Sequence, residues 1–487
     1  MKSILKNKLL NFFKNYWVLL LLFVLSFSIR FIFIFRDIPF ITHPDEPTVV
    51  NSTLNLKYSL NPKHFDWPTF YYYVNYLFFS VLFFIERVSS RIGMPNPQIV
   101  DNLNFYLLSR IVTVVFGALS VIFTYKLTYN LTRNTDTSII AAILLAVIPL
   151  HVTRSAQSLT DVPMLFLAIV SLYYLSRNLE NFAWRNIYLS AFFVGLSTST
   201  KYNGYMFVIS TALFLILIKK LNFKDLSSYV KTALCGAAGF LIGTPFALLD
   251  YKTFLRDDGP KGALWQFKNV GSLPVVEQIS AFFNNIGLNL PPDFGFIPWI
   301  LAISFILYFF FQTKFKFKDN YLKFIFILIC QFIFILWSTS GVKIQRSHYF
   351  IGLYAMVPVF GALLLSKNKK FETGTLIVTC VLSIIILAGS MSNNSRVEFF
   401  ERVIFEDTKK NYNILYSDSE LSEVLRKLDI RSDEFDPRLM DFNSKFYSHI
   451  VSSQDLCQSS NCEYKLVGSI LSREEGNDLY IYEFKKK

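Results

Sequence analysis

The sequence predicts an α-helical polytopic membrane protein of about eleven transmembrane helices, closed by a small C-terminal α/β domain. Three observations carry that prediction. Runs of about 17–22 apolar residues recur along most of the chain, long enough to cross a hydrocarbon core. Hydrophobic residues fill 53% of the 487 positions and mean hydropathy is +0.38, above what a soluble chain of this length carries. Residues 392–487 then change character and become polar and charged.

The expected spans follow in order. The first is 16–36, "NYWVLLLLFVLSFSIRFIFIF"; it lacks a small-residue cleavage site and reads as a retained helix. The others are 106–125, 138–150, 161–176, 187–200, 203–218, 232–250, 296–312, 321–338, 348–365 and 372–390. A further stretch, 69–87, is apolar enough to cross but short and rich in Tyr at one end. Charge decides its role. Lys2, Lys6, Lys8 and Lys14 put the N-terminus inside. If 69–87 does not cross, Lys126 and Arg133, Arg177 and Arg185, Lys219, Lys220, Lys224 and Lys231, Lys314 to Lys323, and Lys367 to Lys370 all lie inside too. If it crosses, every one of these clusters flips outside. The stretch therefore reads as a helix in the outer interface or a re-entrant segment, with the C-terminus outside.

The net charge of +13 follows from those loops, so no nucleic-acid partner is expected. Five cysteines are too few for a disulfide scaffold. Cys235, Cys330 and Cys380 fall within spans, whereas Cys457 and Cys462, in a C-x₄-C pattern, favour a disulfide in the outer domain. That domain, 392–487, shows strand patterns at 411–419, 464–471 and 478–484 and a helical pattern at 419–430. Residues 1–391 form the membrane domain, with large outer loops at 37–105 and 251–295.

The outer face concentrates the chemistry. "HPDEP" puts His43, Asp45 and Glu46 just after the first span. Pro44 and Pro47 flank a helix start, and acidic residues favour helix N-termini, so the Asp45–Glu46 pair has a purely structural reading. A general base is the alternative: glycosyl transfer to a hydroxyl needs a proton acceptor, and a phosphate leaving group needs cations rather than an acid. A glycosidase would need two carboxylates as a working pair. The outer turns carry Arg154, Lys201, Lys343 and Arg346 against the general charge bias. Any one of them can be a snorkelling side chain; several beside carboxylates suit a lipid-linked phosphosugar.

"HPDEPTVV", "LNPKHFDWPTFYYYVNYL", "LLSRIVTVVFGALSVIFTYKL", "AAILLAVIPLHVTRSAQSLTDVPMLFL", "GLSTSTKYNG", "GTPFALLD" and "RSHYFIGLYAMVP" occur in that order over residues 16–366. Together they resemble the polyprenyl-phosphate-sugar-dependent glycosyltransferases of the protein O-mannosyltransferase type, glycosyltransferase family 39. The resemblance implies the GT-C membrane fold with interfacial helices in the first outer loop. It implies an inverting transferase that moves a hexose such as mannose from a polyprenyl-phosphate carrier to a protein, lipid or glycan hydroxyl, on the outer face of the cytoplasmic membrane. Asp45 would be the general base and Glu46 its catalytic neighbour. Lys201, Tyr202, Arg110, Arg154 and Arg346 would hold the donor phosphate, supported by Asp161, His43 and His348. Bacterial family members often carry His where this chain has Gln157, and His348 is the outer imidazole that could stand in for it. No cofactor is firmly implied; His43, Asp45 and Glu46 with His348 or His151 make a weak divalent-metal alternative. His64 reads as packed against Trp67 and Tyr71–Tyr73. The rival classes are a lipid-linked glycan polymerase or ligase and a non-enzymatic transporter; the latter would show inverted halves, which this sequence lacks.

Overall fold

The computed structural model describes residues 2–36, 43, 45–91, 102–259, 262–392 and the strands 414–416, 432–434, 449–452, 464–470 and 479–484. The chain forms two compact units, one of residues 1–35 and 48–387, the other of 36–47 and 388–487. The expected helix at 419–430 and Cys457 and Cys462 lie outside the described residues.

In chain order the helices are α1 (Lys2–Phe33), α2 (Asp45–Asn55), α3 (Phe70–Arg91), α4 (Asn102–Thr132), α5 (Thr135–Val147), α6 (Pro149–Ser155), α7 (Asp161–Ser176), α8 (Trp184–Thr200), α9 (Val208–Phe214) and α10 (Leu226–Gly243). Then come the short α11 (Phe246–Leu249), α12 (Tyr251–Phe254), α13 (Ala263–Val270), α14 (Val275–Asn284) and α15 (Leu290–Phe294). The series ends with α16 (Phe296–Thr313), α17 (Asn320–Ser340), α18 (Val357–Leu365) and α19 (Lys369–Ser392). Among the described residues, seven helices are long and apolar enough to span, and nine segments qualify if each bent pair counts as one.

The shortfall from eleven has two sources. The apolar part of α1, Trp17–Phe33, is short, and α8 is rich in Ser and Thr. Those small polar residues have a packing role. A Cβ on Gly195 of α8 would sit 2.0 Å from the Gly236 carbonyl oxygen of α10, and one on Gly239 would sit 2.1 Å from that of Phe192. Small residues on both helices thus let the backbones touch, the usual means of helix association where lipid removes the hydrophobic drive.

Stretch 69–87 is one helix, α3. Tyr71, Asn75 and Phe79 are buried, four residues apart on one face, while Leu77, Phe78, Val81 and Phe84 are exposed. Both faces are apolar, and its apolar part, Phe70–Ile85, is shorter than the qualifying spans.

Two expected spans are bent. Thr135–Val147 and Pro149–Ser155 meet at 64°, and the 3₁₀ segment Ser347–Ala355 meets α18 at 49°. The first bend has a clear cause. Pro149 has no N–H, so the Leu145 carbonyl loses its i+4 donor. Arg30 of α1 replaces it. Its Nη2 donates to Leu145 O at 3.4 Å and its Nη1 to Ala146 O at 3.3 Å. The rest of the guanidinium is held by Ser26 O and Oγ, Ser155 Oγ, and His151 Nδ1 at 2.7 Å. His151 is therefore a buried packing partner of Arg30, not an outer-face metal ligand.

The second unit contains a mixed five-stranded sheet. Its strands are β1 (Ile414–Tyr416), β2 (Ser432–Glu434), β3 (His449–Ser452), β4 (Tyr464–Ile470) and β5 (Leu479–Phe484), in the order β2-β1-β3-β5-β4. β1 pairs in parallel with β2 and β3, and β5 is antiparallel to β3 and β4, with a register shift between Leu466 and Gly468.

Candidate active site

Helix ends of the first unit gather most of the expected cations. Helix α8 stops at Lys201, which turns to an extended backbone (φ −149°, ψ 134°). A 3₁₀ segment, Tyr202–Phe207, then folds back over the helix end. That reversal requires glycine at 204, where a Cβ would come within 2.4 Å of the Ser197 carbonyl carbon. Lys201 is thereby aimed at the first turn of α7, where its Nζ donates to Asp161 Oδ1 at 2.6 Å. Asp161 is almost wholly enclosed, with 5% of its side chain exposed against 22% for Lys201.

The cluster continues through the segment after α17. The Lys201 Nζ lies 5.4 Å from the ring centroid of Tyr349, a cation–π contact. The neighbouring His348 stacks edge-on against Tyr349 at 4.6 Å. Arg154, buried at the end of α6, donates from Nη2 to His348 Nδ1 at 3.3 Å. An arginine only donates, so Nδ1 is an acceptor and His348 carries its proton on Nε2. Arg154 Nη1 also reaches Gln157 Oε1 at 3.4 Å. Gln157 and His348 thus share one guanidinium. Tyr202 is buried and donates from its hydroxyl to Phe65 O at 2.6 Å. Arg346 caps the 3₁₀ segment and is exposed.

Beside this cluster is a cavity of about 390 Å³. Lys201 and Asp66 are its charged lining, Trp67, Tyr202, Tyr205, Phe267 and Tyr349 its aromatic lining, and Asn203, Gln266 and Gln278 its amide lining. One wall is pinned where Ser272 bridges Val342 and Leu273 N–H donates to Gly341 O at 2.8 Å. Aromatic faces, amides and one cation suit a sugar beside a phosphate.

Asp66 is also one end of a three-residue chain. Its Oδ1 accepts from His64 Nδ1 at 2.9 Å, and Ser52 Oγ lies 3.0 Å from His64 Nε2. The order is that of an acyl-transfer triad. Ser52, however, is buried inside α2 rather than presented on a sharp turn. The chain therefore works as a clamp that ties α2 to the 59–69 loop. The His64 ring does meet Tyr72, at 5.9 Å, but Ser52 and Asp66 are its hydrogen-bonding partners.

Arg110, buried in α4, donates from Nη1 to Ile34 O at 2.7 Å. His43, Asp45 and Glu46 fall in the second unit. His43 Nδ1 accepts from the Asp45 N–H at 3.2 Å and its carbonyl from the Glu46 N–H at 3.2 Å, so it caps the start of α2. Asp45 is half-buried and Glu46 buried. Among the described residues, no three His, Cys, Asp or Glu side chains converge as a metal ion would require.

Comparison with known proteins adds to this geometry. Residues 106–246 match the family model for dolichyl-phosphate-mannose-protein mannosyltransferase. No curated protein matches the chain by sequence. ArnT from Cupriavidus metallidurans in the apo state is similar in structure, with a TM-score of 0.56 at 10% identity over 96% of this chain and 98% of that one. The same protein bound to undecaprenyl phosphate gives 0.53 at 11% identity over 95% and 97%. The Archaeoglobus fulgidus oligosaccharyltransferase, in complex with zinc and sulfate, gives 0.51 at 14% identity over 89% of this chain and 67% of that one.

Proposed function

We propose that this chain, which has the fold of the GT-C glycosyltransferases, transfers a hexose such as mannose from a polyprenyl-phosphate carrier to an acceptor hydroxyl, with inversion. The observation that carries the reading is the linked set Arg154, His348, Tyr349, Lys201 and Asp161 at the edge of an aromatic, amide-lined cavity. The matched mannosyltransferase model and the undecaprenyl phosphate bound by the C. metallidurans protein support it.

In this mechanism the acceptor oxygen attacks the sugar C1 from the face opposite the phosphate. The C1–O bond to phosphate breaks, and its electron pair leaves on the phosphate oxygen. Negative charge grows there as the bond lengthens, so Lys201 and Arg154 bind the transition state more strongly than the ground state. The acceptor proton passes to Asp45, with Glu46 beside it. Arg110, Arg346 and Tyr202 complete the phosphate contacts, while Asp161 and His348 orient the two cations and His43 holds the start of α2. The acceptor is a protein, lipid or glycan hydroxyl. The site faces outward from the cytoplasmic membrane, with the basic loops inside, the 37–105 and 251–295 loops outside, and 392–487 as an outer domain.

Purified full-length protein offered a panel of polyprenyl-phosphate hexoses, with products read by mass spectrometry, tests the reading. One donor should be consumed with free polyprenyl phosphate released. Asp45→Asn should insert normally and lose roughly 10²–10⁴-fold in turnover, the range for removing a general base. Near-normal turnover would move the base to another group, with Glu46 first.

A further inference from the structure

At the other end of α8 from Lys201 lies a second cavity, of about 530 Å³. The helix between them has 17 residues, so the two sites stand roughly 25 Å apart at about 1.5 Å per residue. They belong to opposite ends of the bundle. The second cavity is polar, lined by Arg133 from the end of α4, Arg177 from the end of α7 and Arg185 from the start of α8, with Asn130, Asn181 and Asn186 between them.

The positive-inside rule accounts for arginines on this face. It does not account for three of them converging from three helix ends on one concave, asparagine-lined space. Only Arg133 is paired there, with Glu180 at 2.6 Å, and both side chains are about half exposed. Such a pair is worth little. Arg177 and Arg185 have no ion-pair partner among the described residues. The cavity's charged lining, three arginines against Glu180, is net positive.

The walls are held rigidly. Asn178 is 3% exposed; its Oδ1 accepts from the Ala183 N–H at 2.8 Å and from Asn186 Nδ2 at 3.0 Å, and Asn130 Nδ2 donates to Ser176 Oγ at 3.0 Å. The Nδ2 of Asn178 is buried with no hydrogen-bond partner, directly behind two cavity-lining residues. Phe182 and Trp184 pack edge to face beside the cavity at 5.3 Å, with the Lys219 ammonium over both rings. Aromatic rings and cations together mark headgroup depth.

We propose that this cavity is a binding site for a phosphate oxyanion, of the kind an anionic phospholipid headgroup presents, separate from the candidate active site. Guanidinium forks match phosphate oxygens in geometry as well as charge. The lipid tails would lie along α4, α7 and α8, and the site would fasten that end of α8 while Lys201 works at the other.

The test is native mass spectrometry of the full-length protein from nanodiscs containing equal phosphatidylglycerol and phosphatidylcholine. Wild type should retain phosphatidylglycerol. Arg177→Gln/Arg185→Gln, which breaks no side-chain hydrogen bond or ion pair among the described residues, should weaken retention on the order of 10-fold to 30-fold, from the usual contribution of each juxtamembrane cation. Lys224→Gln/Lys231→Gln removes the same charge from exposed positions outside the cavity and should change retention less than about twofold. Inorganic phosphate in the millimolar range distinguishes the source. If it binds alone and displaces the lipid, the ligand is a free phosphate; if lipid stays, the headgroup with its tails is the ligand. Equal losses in the two double variants, or none in the arginine variant while its melting temperature is unchanged, would overturn the site.

Discussion

Replacing Lys201 with Gln perturbs two things at once, and the structure shows how to separate them. The Nζ–Oδ1 distance to Asp161 is 2.6 Å and Asp161 is only 5% exposed. At that distance the attraction is about 6 kcal/mol for an effective dielectric near 20. Desolvation of both groups cancels much of it. Truncating one partner of a buried pair nonetheless costs roughly 3–5 kcal/mol, because the other charge stays buried. Lys201 is partly exposed, so about 3 kcal/mol is expected. Lys201→Gln should therefore lower the melting temperature, and a loss of activity would by itself prove nothing. Adding Asp161→Asn removes the stranded carboxylate and should restore most of the stability. On the catalytic reading, turnover of the double variant stays roughly 10²–10³-fold down, the cost of removing one preorganised electrostatic donor. Lys201→Arg should keep part of the rate, since charge survives but geometry differs. Thermal unfolding in detergent and single-turnover release of polyprenyl phosphate measure the two quantities. If the double variant recovers stability and turns over within about threefold of wild type, Lys201 is a structural ion pair and its role at the phosphate is wrong.

Two other outcomes follow from the fold. Arg30→Met leaves the Leu145 and Ala146 carbonyls and His151 without their donor and should destabilise the chain by roughly 3 kcal/mol or more, with Arg30→Lys recovering only part, as read by thermal unfolding; an unchanged melting temperature for Arg30→Met would mean that the break is held by other contacts. Gly195→Val drives a side chain into the Gly236 backbone and should abolish monodisperse protein on size-exclusion chromatography, whereas Gly374→Val, with nothing within 4 Å, should be silent.

Much of this architecture was legible because lipid imposes a simple rule: helices must be apolar for about 20 residues. The expected spans fall on observed helices almost throughout. Strands β4 and β5 were legible from the alternation in "YKLVGSI" and "LYIYEF". β2 and β3 were not, because the three- and four-residue runs "SDE" and "HIVS" are too short to show a period. Of the site residues, Arg154, Asp161, Lys201, Tyr202 and His348 lie near one another, at the ends of neighbouring helices. The His64 chain was missed. Its partner Ser52 lies inside an unremarkable "VVNSTLN", and only the fold of the 59–69 loop brings them together.

Arg30 was missed for a more instructive reason. Inside an apolar run a lone arginine invites a functional reading, since such a charge costs roughly 2.5–3.5 kcal/mol to insert. Its partners Leu145, Ala146, His151 and Ser155 lie 115–125 positions away. The signal was Pro149: a proline within an expected span strands a carbonyl one turn earlier, and a stranded carbonyl in lipid demands a donor. Arg30 supplies that donor. Six contacts between 2.7 and 3.4 Å surround its guanidinium, and hydrogen bonds to a charged group contribute roughly 1.5–3 kcal/mol each. That offsets the insertion cost without any ligand. The consequence still reaches the candidate site. The 64° bend that Arg30 completes sets the direction of α6, and α6 carries Arg154 to His348. A charge buried for structural reasons thus sets the course of α6, in which Arg154, three residues past His151, meets the His348 imidazole only if the bend is kept; losing Arg30 should therefore loosen the Arg154–His348 contact while leaving Asp161 at the start of α7 and Lys201 at the end of α8 in register.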